Sequence, residues 1–540
     1  MTTMNSWCKS AAWSVFKHSM MEKGDVAELC LHTAKNMHSS GFFCLRDSMK
    51  SFDILSAEFE GVPDGVRAVS YLQDFISFAD GLPYPDILSE EIKTHVPANV
   101  TQPFVLVFEA SLAAKAGTSR IKFTVHTTNG DFSAYMTLCV HQTALCEPKD
   151  SAFSHEYWSQ TRIYFPLSDA RASGTKEDAL YPYERYDKEW EVWLAKLAEA
   201  QKKLRINVLQ IEGMTELLWA SGSKRTGADT WHFDFSLLDR YLDIMLKHGS
   251  YKRIVIPALV AGQTGNAVKG LDEAGNPVDF AMTDGDGSAE NYLSCLYRAL
   301  YRHFAERGET PMLAAHLQDE PNKPDSWLWV RNIARRELPD VPCSEAIYLR
   351  NIAHALDEEC DIPIPRIDIF NEEPCFYRDR LEKGREFYVY SCCFPEEPEW
   401  LRKFIDAPQV YSCLMYIACF SAKASGFLHW GFNHWGEGIY TTAPDARFKG
   451  DGFIVYPDRE KPDFILSNRA LATIEGCEIW ELLQELSACL SSASVVERMA
   501  KTIAGSFTEF ETDPDAITAF IERLLCMLDT AKPQAKKEGV

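Results

Sequence analysis

Short apolar runs alternate with stretches of helical periodicity from about residue 186 to residue 430, and this alternation restricts the chain to parallel α/β architectures. Residues 186–205 carry Trp190, Trp193, Leu194, Leu197 and Leu204 near helical spacing, and residues 206–211 follow as a buried strand. Ser236–His248 reads as a helix, with Ser236 as its N-cap and Gly249 just past its end. A strand is expected over 253–259, a helix over 288–307, a strand over 312–317 and a helix over 326–336. Further strands are expected over 366–370, 386–393 and 426–430. Seven or eight strands separated by helical crossovers predict a (β/α)8 TIM-type barrel. No Gly-x-Gly-x-x-Gly turn opens a helix and no Walker A pattern occurs, which disfavours a dinucleotide fold.

The rhythm before residue 150 is different. Residues 101–110 (TQPFVLVFEA) and 120–127 (RIKFTVHT) are strand-like, Asn129-Gly130 is a hairpin signal, and 132–140 returns after it. Ile121, Phe123 and Val125 alternate with Lys122, Thr124 and His126, the pattern of a β-sandwich. The opening 35 residues are compatible with a helix. The expected division is a β-sandwich domain over 1–150, a barrel over 151–485, and C-terminal helices with a charged tail over 486–540, the first boundary falling at 147–151. Residues 262–287, rich in Gly and Asp, read as a loop over the barrel mouth.

Two stretches carry chemistry. In 312–321 (MLAAHLQDEP) a buried strand runs into His316, Gln318, Asp319, Glu320 and Pro321, and proline stops the ladder. The carboxyl end of a barrel strand is where active sites are built. Adjacent carboxylates repel, so one can hold its proton while the other is ionised, and an acid beside an anion suits glycoside cleavage. The ordinary alternative is an exposed acid pair capping the next helix. In 426–438 (GFLHWGFNHWGEG) Trp430 and Trp435 stand beside Asn433 and two histidines. Aromatic faces stack on sugar rings while Asn and His bond hydroxyls. The ordinary alternative is a Trp-rich core strand.

The charge balance narrows the partners. Lys and Arg number 55 against 78 Asp and Glu, a net −23, which argues against nucleic acid and anionic membrane surfaces but not against a sugar. No signal-peptide pattern and no apolar span of about 20 residues is read, so a cytoplasmic location and reduced thiols are expected for the 16 cysteines. No Cys-x-x-Cys pair with a matching His pair occurs, so no structural zinc is expected. Residues 284–287 (DGDG) lack the distal Glu of a calcium loop. No metal or cofactor is expected, and the oligomeric state is left open.

Together the two stretches resemble glycoside hydrolase family 123, the β-N-acetylgalactosaminidases. Similar segments include residues 388–393 (YVYSCC), 404–408 (FIDAP), 452–457 (GFIVYP), 84–88 (YPDIL) and 231–239. The resemblance implies a β-sandwich before the barrel and an exo-acting, retaining enzyme in which the substrate's own 2-acetamido oxygen is the nucleophile. It implies that Glu320 is the general acid/base, its pKa raised by an anionic Asp319 that orients the acetamide. Trp430 and Trp435 are expected as walls of the sugar subsite, Asn433 as a hydroxyl ligand and Tyr390 as a donor to the acetamide carbonyl. His316 is expected as a hydroxyl ligand or a support. A core tyrosine and a satisfied buried histidine are the alternatives for Tyr390 and His316. In the helix following residue 467, Ser467, Arg469, Glu475, Gly476 and Glu478 match the family, whereas Leu471, Ile474, Ile479 and Trp480 replace its polar residues, so an ion network there is expected to be apolar. Two other readings stand: a glycosidase for sugars lacking the acetamido group, with Glu437 as second carboxylate, and a non-catalytic carbohydrate-binding barrel.

Overall fold

The computed structural model describes residues 4–531 except 24, 26–27, 79, 161–185, 284–286, 436–438, 440–448, 459–460 and 491–492. Glu437, Asp284 and Asp286 and the charged tail therefore lie outside the described residues.

Ten strands come first: β1 (Met4–Ser10), β2 (Glu28–Lys35), β3 (Met37–Asp47), β4 (Phe52–Glu60), β5 (Val66–Ser77), β6 (Pro83–Ser89), β7 (Thr94–Val96), β8 (Thr101–Ala110), β9 (Gly117–Thr127) and β10 (Gly130–Ala144). They form two five-stranded sheets, β1-β3-β8-β5-β6 and β2-β10-β9-β4-β7. Phe43 and Phe104 of one sheet meet Phe123 of the other edge-on, so the core lies between two layers. The opening residues expected to include a helix form β1 and β2 instead, because their alternating apolar positions complete the sandwich core.

A single 3-10 turn, Pro148–Asp150, leads into the barrel. Its strands and helices follow in order: β11 (Ser154–Tyr157), α1 (Lys188–Lys203), β12 (Val208–Gln210), α2 (Met214–Ala220), a hairpin β13 (Lys224–Gly227) and β14 (Thr230–His232), α3 (Ser236–His248), and β15 (Arg253–Ile256). A second hairpin, β16 (Ala267–Leu271) and β17 (Pro277–Ala281), precedes α4 (Ser288–Glu306), β18 (Leu313–His316), α5 (Pro324–Glu337), β19 (Cys343–Ile347), α6 (Arg350–Ala355) and β20 (Ile362–Pro365). Then come α7 (Ile367–Glu372), α8 (Pro374–Glu382), β21 (Tyr388–Tyr390), α9 (Tyr411–Ala422), β22 (Gly426–His429), the hairpin β23 (Val455–Pro457) and β24 (Phe464–Leu466), and α10 (Asn468–Cys489), α11 (Ala493–Lys501) and α12 (Pro514–Ala531).

Eight parallel strands form one sheet in the order β20-β19-β18-β15-β12-β11-β22-β21, and a parallel bridge from Arg366 to Tyr390 joins its ends. This is the eight-stranded barrel the alternation predicted. Two details differ. Residues 366–370 are not a strand: the sixth strand is Ile362–Pro365, and Ile367–Glu372 is a helix. Proline alternation in Ile362-Pro363-Ile364-Pro365 reads as a non-strand, yet its partner β19 is a buried strand supplied by the acid-bearing Cys343–Ile347. Likewise Phe235, not Ser236, is the N-cap of α3, and Asp234 Oδ1 accepts from the Ser236 N–H at 2.9 Å. The loop over 262–287 contains the hairpin β16–β17. No described helix is long and apolar enough to cross a membrane.

α10 packs the barrel against the sandwich, and its close crossing with α9 needs Gly476, where a Cβ would stand 2.7 Å from the Cys413 carbonyl. Leu471, Ile474, Ile479 and Trp480, the replaced positions, are buried in the apolar core, while the charges that remain on α10 are paired. Arg469 Nε and Nη2 donate to both oxygens of buried Asp86 on β6 at 3.0 and 2.9 Å. Glu478 lies 2.7 Å from His38, and Glu481 pairs with Arg205. Charges survive there because each has a buried partner.

Candidate active site

The site starts where β18 ends. Pro321 cannot continue the ladder, and Glu320 just before it adopts φ +47, a left-handed conformation that is strained for a side chain of this size. Two hydrogen bonds hold its carboxylate. The Tyr390 hydroxyl, at the end of β21, donates to Oε1 at 2.5 Å, and the Gln263 amide donates to Oε2 at 2.7 Å. Gln263 is placed in turn by Gln318, whose amide donates to the Gln263 carbonyl at 2.9 Å, and by Asn322 N–H, which donates to the same carbonyl at 3.1 Å. The turn at Gly265 (φ +60) admits no side chain, since a Cβ would meet Gln318 Nε2 at 2.8 Å.

Asp319 lies beside it with its side chain 50% exposed at the barrel mouth. Desolvation in the recess raises its pKa to about 6; His316 opposes the shift, and Glu320 and Glu345 reinforce it. Asp319, expected as the anion of the pair, thus has its own pKa raised above the usual carboxylate range.

His316 is buried under the pair. Its Nε2 stands 3.9 Å from Asp319 Oδ1 and 2.8 Å from Glu345 Oε1, an ion contact whose N–H does not point along the line between the atoms. Burial alone would lower its pKa, but Glu345, then Asp319 and Glu156, raise it to about 9, so the ring is a cation at neutral pH. Glu345 is fully buried and its Oε2 accepts from Trp327 Nε1 at 2.6 Å and from the N–H groups of Gln318 and Leu317 at 3.2 and 3.3 Å. A carboxylate with three donors and a cation beneath the strand end fixes the turn that carries Asp319 and Glu320.

The aromatic residues divide. Trp158, at the end of β11, tilts over the His316 ring at 5.2 Å and donates to buried Glu156 at 2.9 Å. Trp430 is partly exposed, and its indole N–H donates to Asp451 at 2.6 Å. Asp451 also lies 3.1 Å from His429. Trp435 and Asn433 do not join them. Trp435 packs against Trp193 and Phe464 and donates to the Val455 carbonyl at 2.7 Å. Asn433 is fully buried, with Oδ1 accepting from Gln160 N–H at 2.7 Å and Nδ2 donating to Gln160 O at 2.9 Å. Both spend their polar groups inside the protein.

Sequence reasoning missed Gln263, Glu345, Trp158 and Asp451. A lone acid in the apolar run of β19 was the available signal for Glu345; Gln263 carries none, because only the turn brings it to Glu320.

Comparison with known proteins bears on the family and the fold. Residues 215–486 match the family model described as glycoside hydrolase 123, catalytic domain. No curated protein matches the chain. A solved family 123 glycoside hydrolase from Clostridium perfringens aligns with a TM-score of 0.77 at 13% identity, over 98% of this chain and 99% of that one, and shares the fold. A β-D-glucuronidase from Dictyoglomus thermophilum aligns with a TM-score of only 0.30 at 10% identity, over 83% of this chain and 69% of that one, too weakly to bear on the fold. The chain, matched over half its length by that catalytic domain, belongs to glycoside hydrolase family 123.

Proposed function

We propose that this glycoside hydrolase is an exo-acting β-N-acetylgalactosaminidase that retains configuration through substrate assistance. The observation that carries the reading is the pairing of a strained, doubly hydrogen-bonded Glu320 with a recessed Asp319 of pKa about 6 at the carboxyl end of β18. Above pH 6 Asp319 is an anion. It accepts the acetamide N–H and turns the acetamide oxygen toward C1. Glu320 gives its proton to the glycosidic oxygen as the C1–O bond breaks and the acetamide oxygen bonds C1. Asp319 stabilises the charge on the resulting oxazolinium. Water then attacks C1 and returns a proton to Glu320, the ring opens, and the anomeric configuration is kept. The His316 cation holds Asp319, Tyr390 steadies Glu320, and Trp158 and Trp430 supply apolar walls.

We also propose the division 1–150 for a supporting sandwich, 151–485 for the catalytic barrel and 486–540 for the C-terminal helices and tail. The Clostridium perfringens relative is described as hydrolysing glycolipid glycans, so glycolipid glycans ending in β-GalNAc are the natural substrates to assay first.

The test compares chromogenic β-GalNAc, β-GlcNAc and β-galactoside carrying one leaving group. Selective release from β-GalNAc, blocked by a thiazoline analogue of the oxazolinium, is expected. Glu320→Gln and Asp319→Asn are each expected to lower kcat by roughly 100-fold or more without unfolding. Turnover of the galactoside alone would sink the reading.

A further inference from the structure

Two Cys-x-His triplets stand side by side on the sandwich, Cys30-Leu31-His32 on β2 and Cys139-Val140-His141 on β10. The strands pair in parallel with His32 opposite Cys139. Alternation sends Leu29, Leu31, Leu138 and Val140 into the sandwich core and turns the cysteines and histidines to the other face, where α12 packs. His141 is buried. Its Nδ1–H donates to Asp529 of α12 at 2.8 Å, and Asp529 also accepts from Gln142 N–H at 3.1 Å. This bond leaves His141 Nε2 unprotonated, and it accepts from His32 Nδ1–H at 2.9 Å. His32 Nε2 faces Glu522 of α12 at 3.6 Å and Cys30 Sγ at 3.5 Å. The Cys526 thiol completes the group: His32, His141 and Cys526 each offer a donor atom, all within 4.8 Å of one another.

We propose that His32, His141 and Cys526 bind one divalent transition-metal ion of the zinc class, which staples α12 to the sandwich. Two imidazoles and a thiolate select zinc over magnesium or calcium. Tetrahedral zinc, with bonds of about 2.0 Å to nitrogen and about 2.3 Å to sulfur, spaces such donors roughly 3.3–3.6 Å apart, so the histidines open slightly and Cys526 closes in. Each histidine has a carboxylate at its other nitrogen, Asp529 for His141 and Glu522 for His32, the outer contact that orients metal-binding imidazoles. On binding, the Cys526 thiol loses its proton to solvent. The His32 proton moves by way of solvent from Nδ1 to Nε2, where Glu522 accepts it. Exposed Cys526 gives the ion its entry path and leaves the fourth position to water. The proposal departs from the expectation of no metal, which rested on the lack of a local Cys-x-x-Cys pair; the donors are brought together by strand pairing and by a helix from the far end of the chain.

The test is cobalt(II) titration of the chelator-stripped full-length protein with a non-thiol reductant. One equivalent is expected to produce tetrahedral d–d bands and a thiolate charge-transfer band, and zinc is expected to raise Tm. Cys526→Ser, at an exposed position, should lose the charge-transfer band and bind cobalt roughly tenfold or more weakly. Asp529→Asn should keep the band and weaken binding about 10- to 100-fold. Absence of the band in the native protein, or an undiminished band in Cys526→Ser, overturns the proposal.

Discussion

At Glu320 the backbone is bent into a strained conformation and the side chain is pinned at both oxygens. Removing one pin tests what the pinning does. Tyr390→Phe is expected to lower kcat roughly 10- to 100-fold, with KM changed far less, because the carboxyl loses its fixed aim rather than the sugar its contacts. The neighbouring acid predicts a pH limb: with Asp319 required as an anion and its pKa about 6, kcat/KM of the native enzyme should fall below about pH 6. His316 predicts a stability limb of the opposite sense. Its folded pKa of about 9 exceeds the roughly 6.5 of an unstructured histidine, so the folded state binds the proton more tightly. That stabilisation is complete below about pH 6.5 and is lost as pH rises through about 9. Tm should decline between pH 7 and 9.5, and Glu345→Gln should flatten the decline.

Among the elements, the turn that follows β22 separates packing from binding. Asn433 closes both of its amide groups on the backbone of Gln160, so Asn433→Ala is expected to lower stability by about 1–3 kcal/mol in urea melts with little change in KM. A large KM change at unaltered stability would instead make it a sugar ligand. Its amide and the indole of Trp435 were legible in the sequence as polar aromatic-rich chemistry, but their direction was not, because one strand-end turn decides whether a side chain points to the mouth or to the core. The same holds for β20: two prolines hid a strand whose register is set by Ser344 and Glu345 on the neighbouring β19. At α10 the Ser467 hydroxyl accepts from Ala470 N–H at 2.9 Å, as an N-cap does, while donating to the Ile454 carbonyl.

Across the whole molecule the sandwich and the barrel are joined by buried charges rather than by apolar contact alone. Asp86 on β6 receives two bonds from Arg469 and one from Tyr456, all buried. Asp86→Ala leaves the guanidinium enclosed without its counter-ion, and a loss of about 3–5 kcal/mol is expected from the urea midpoint. Arg469 also donates to the carbonyls of Lys403 and Gly450, so the loss should spread from the domain junction to the loop carrying Asp451, the anchor of Trp430.

Periodicity is local, and it was enough by itself to point to a sandwich and to barrel strands β12, β15, β18, β21 and β22, with the acid pair at the end of β18. The strand end marked Asp319 and Glu320 as candidates, because an apolar run broken by a proline after two carboxylates fits a barrel mouth, but it fits an acid pair capping the next helix equally well. Only the tertiary structure decided which groups meet them. Gln263, Glu345 and Tyr390 come from three other strands or loops, and the raised pKa of Asp319 comes from desolvation, from neighbouring Glu320 and from Glu345, which only the fold brings near. Hydrogen bonds and Coulomb forces act over a few ångströms of space, and nothing in the spacing of residues along a chain records which of them closing the barrel will bring that near.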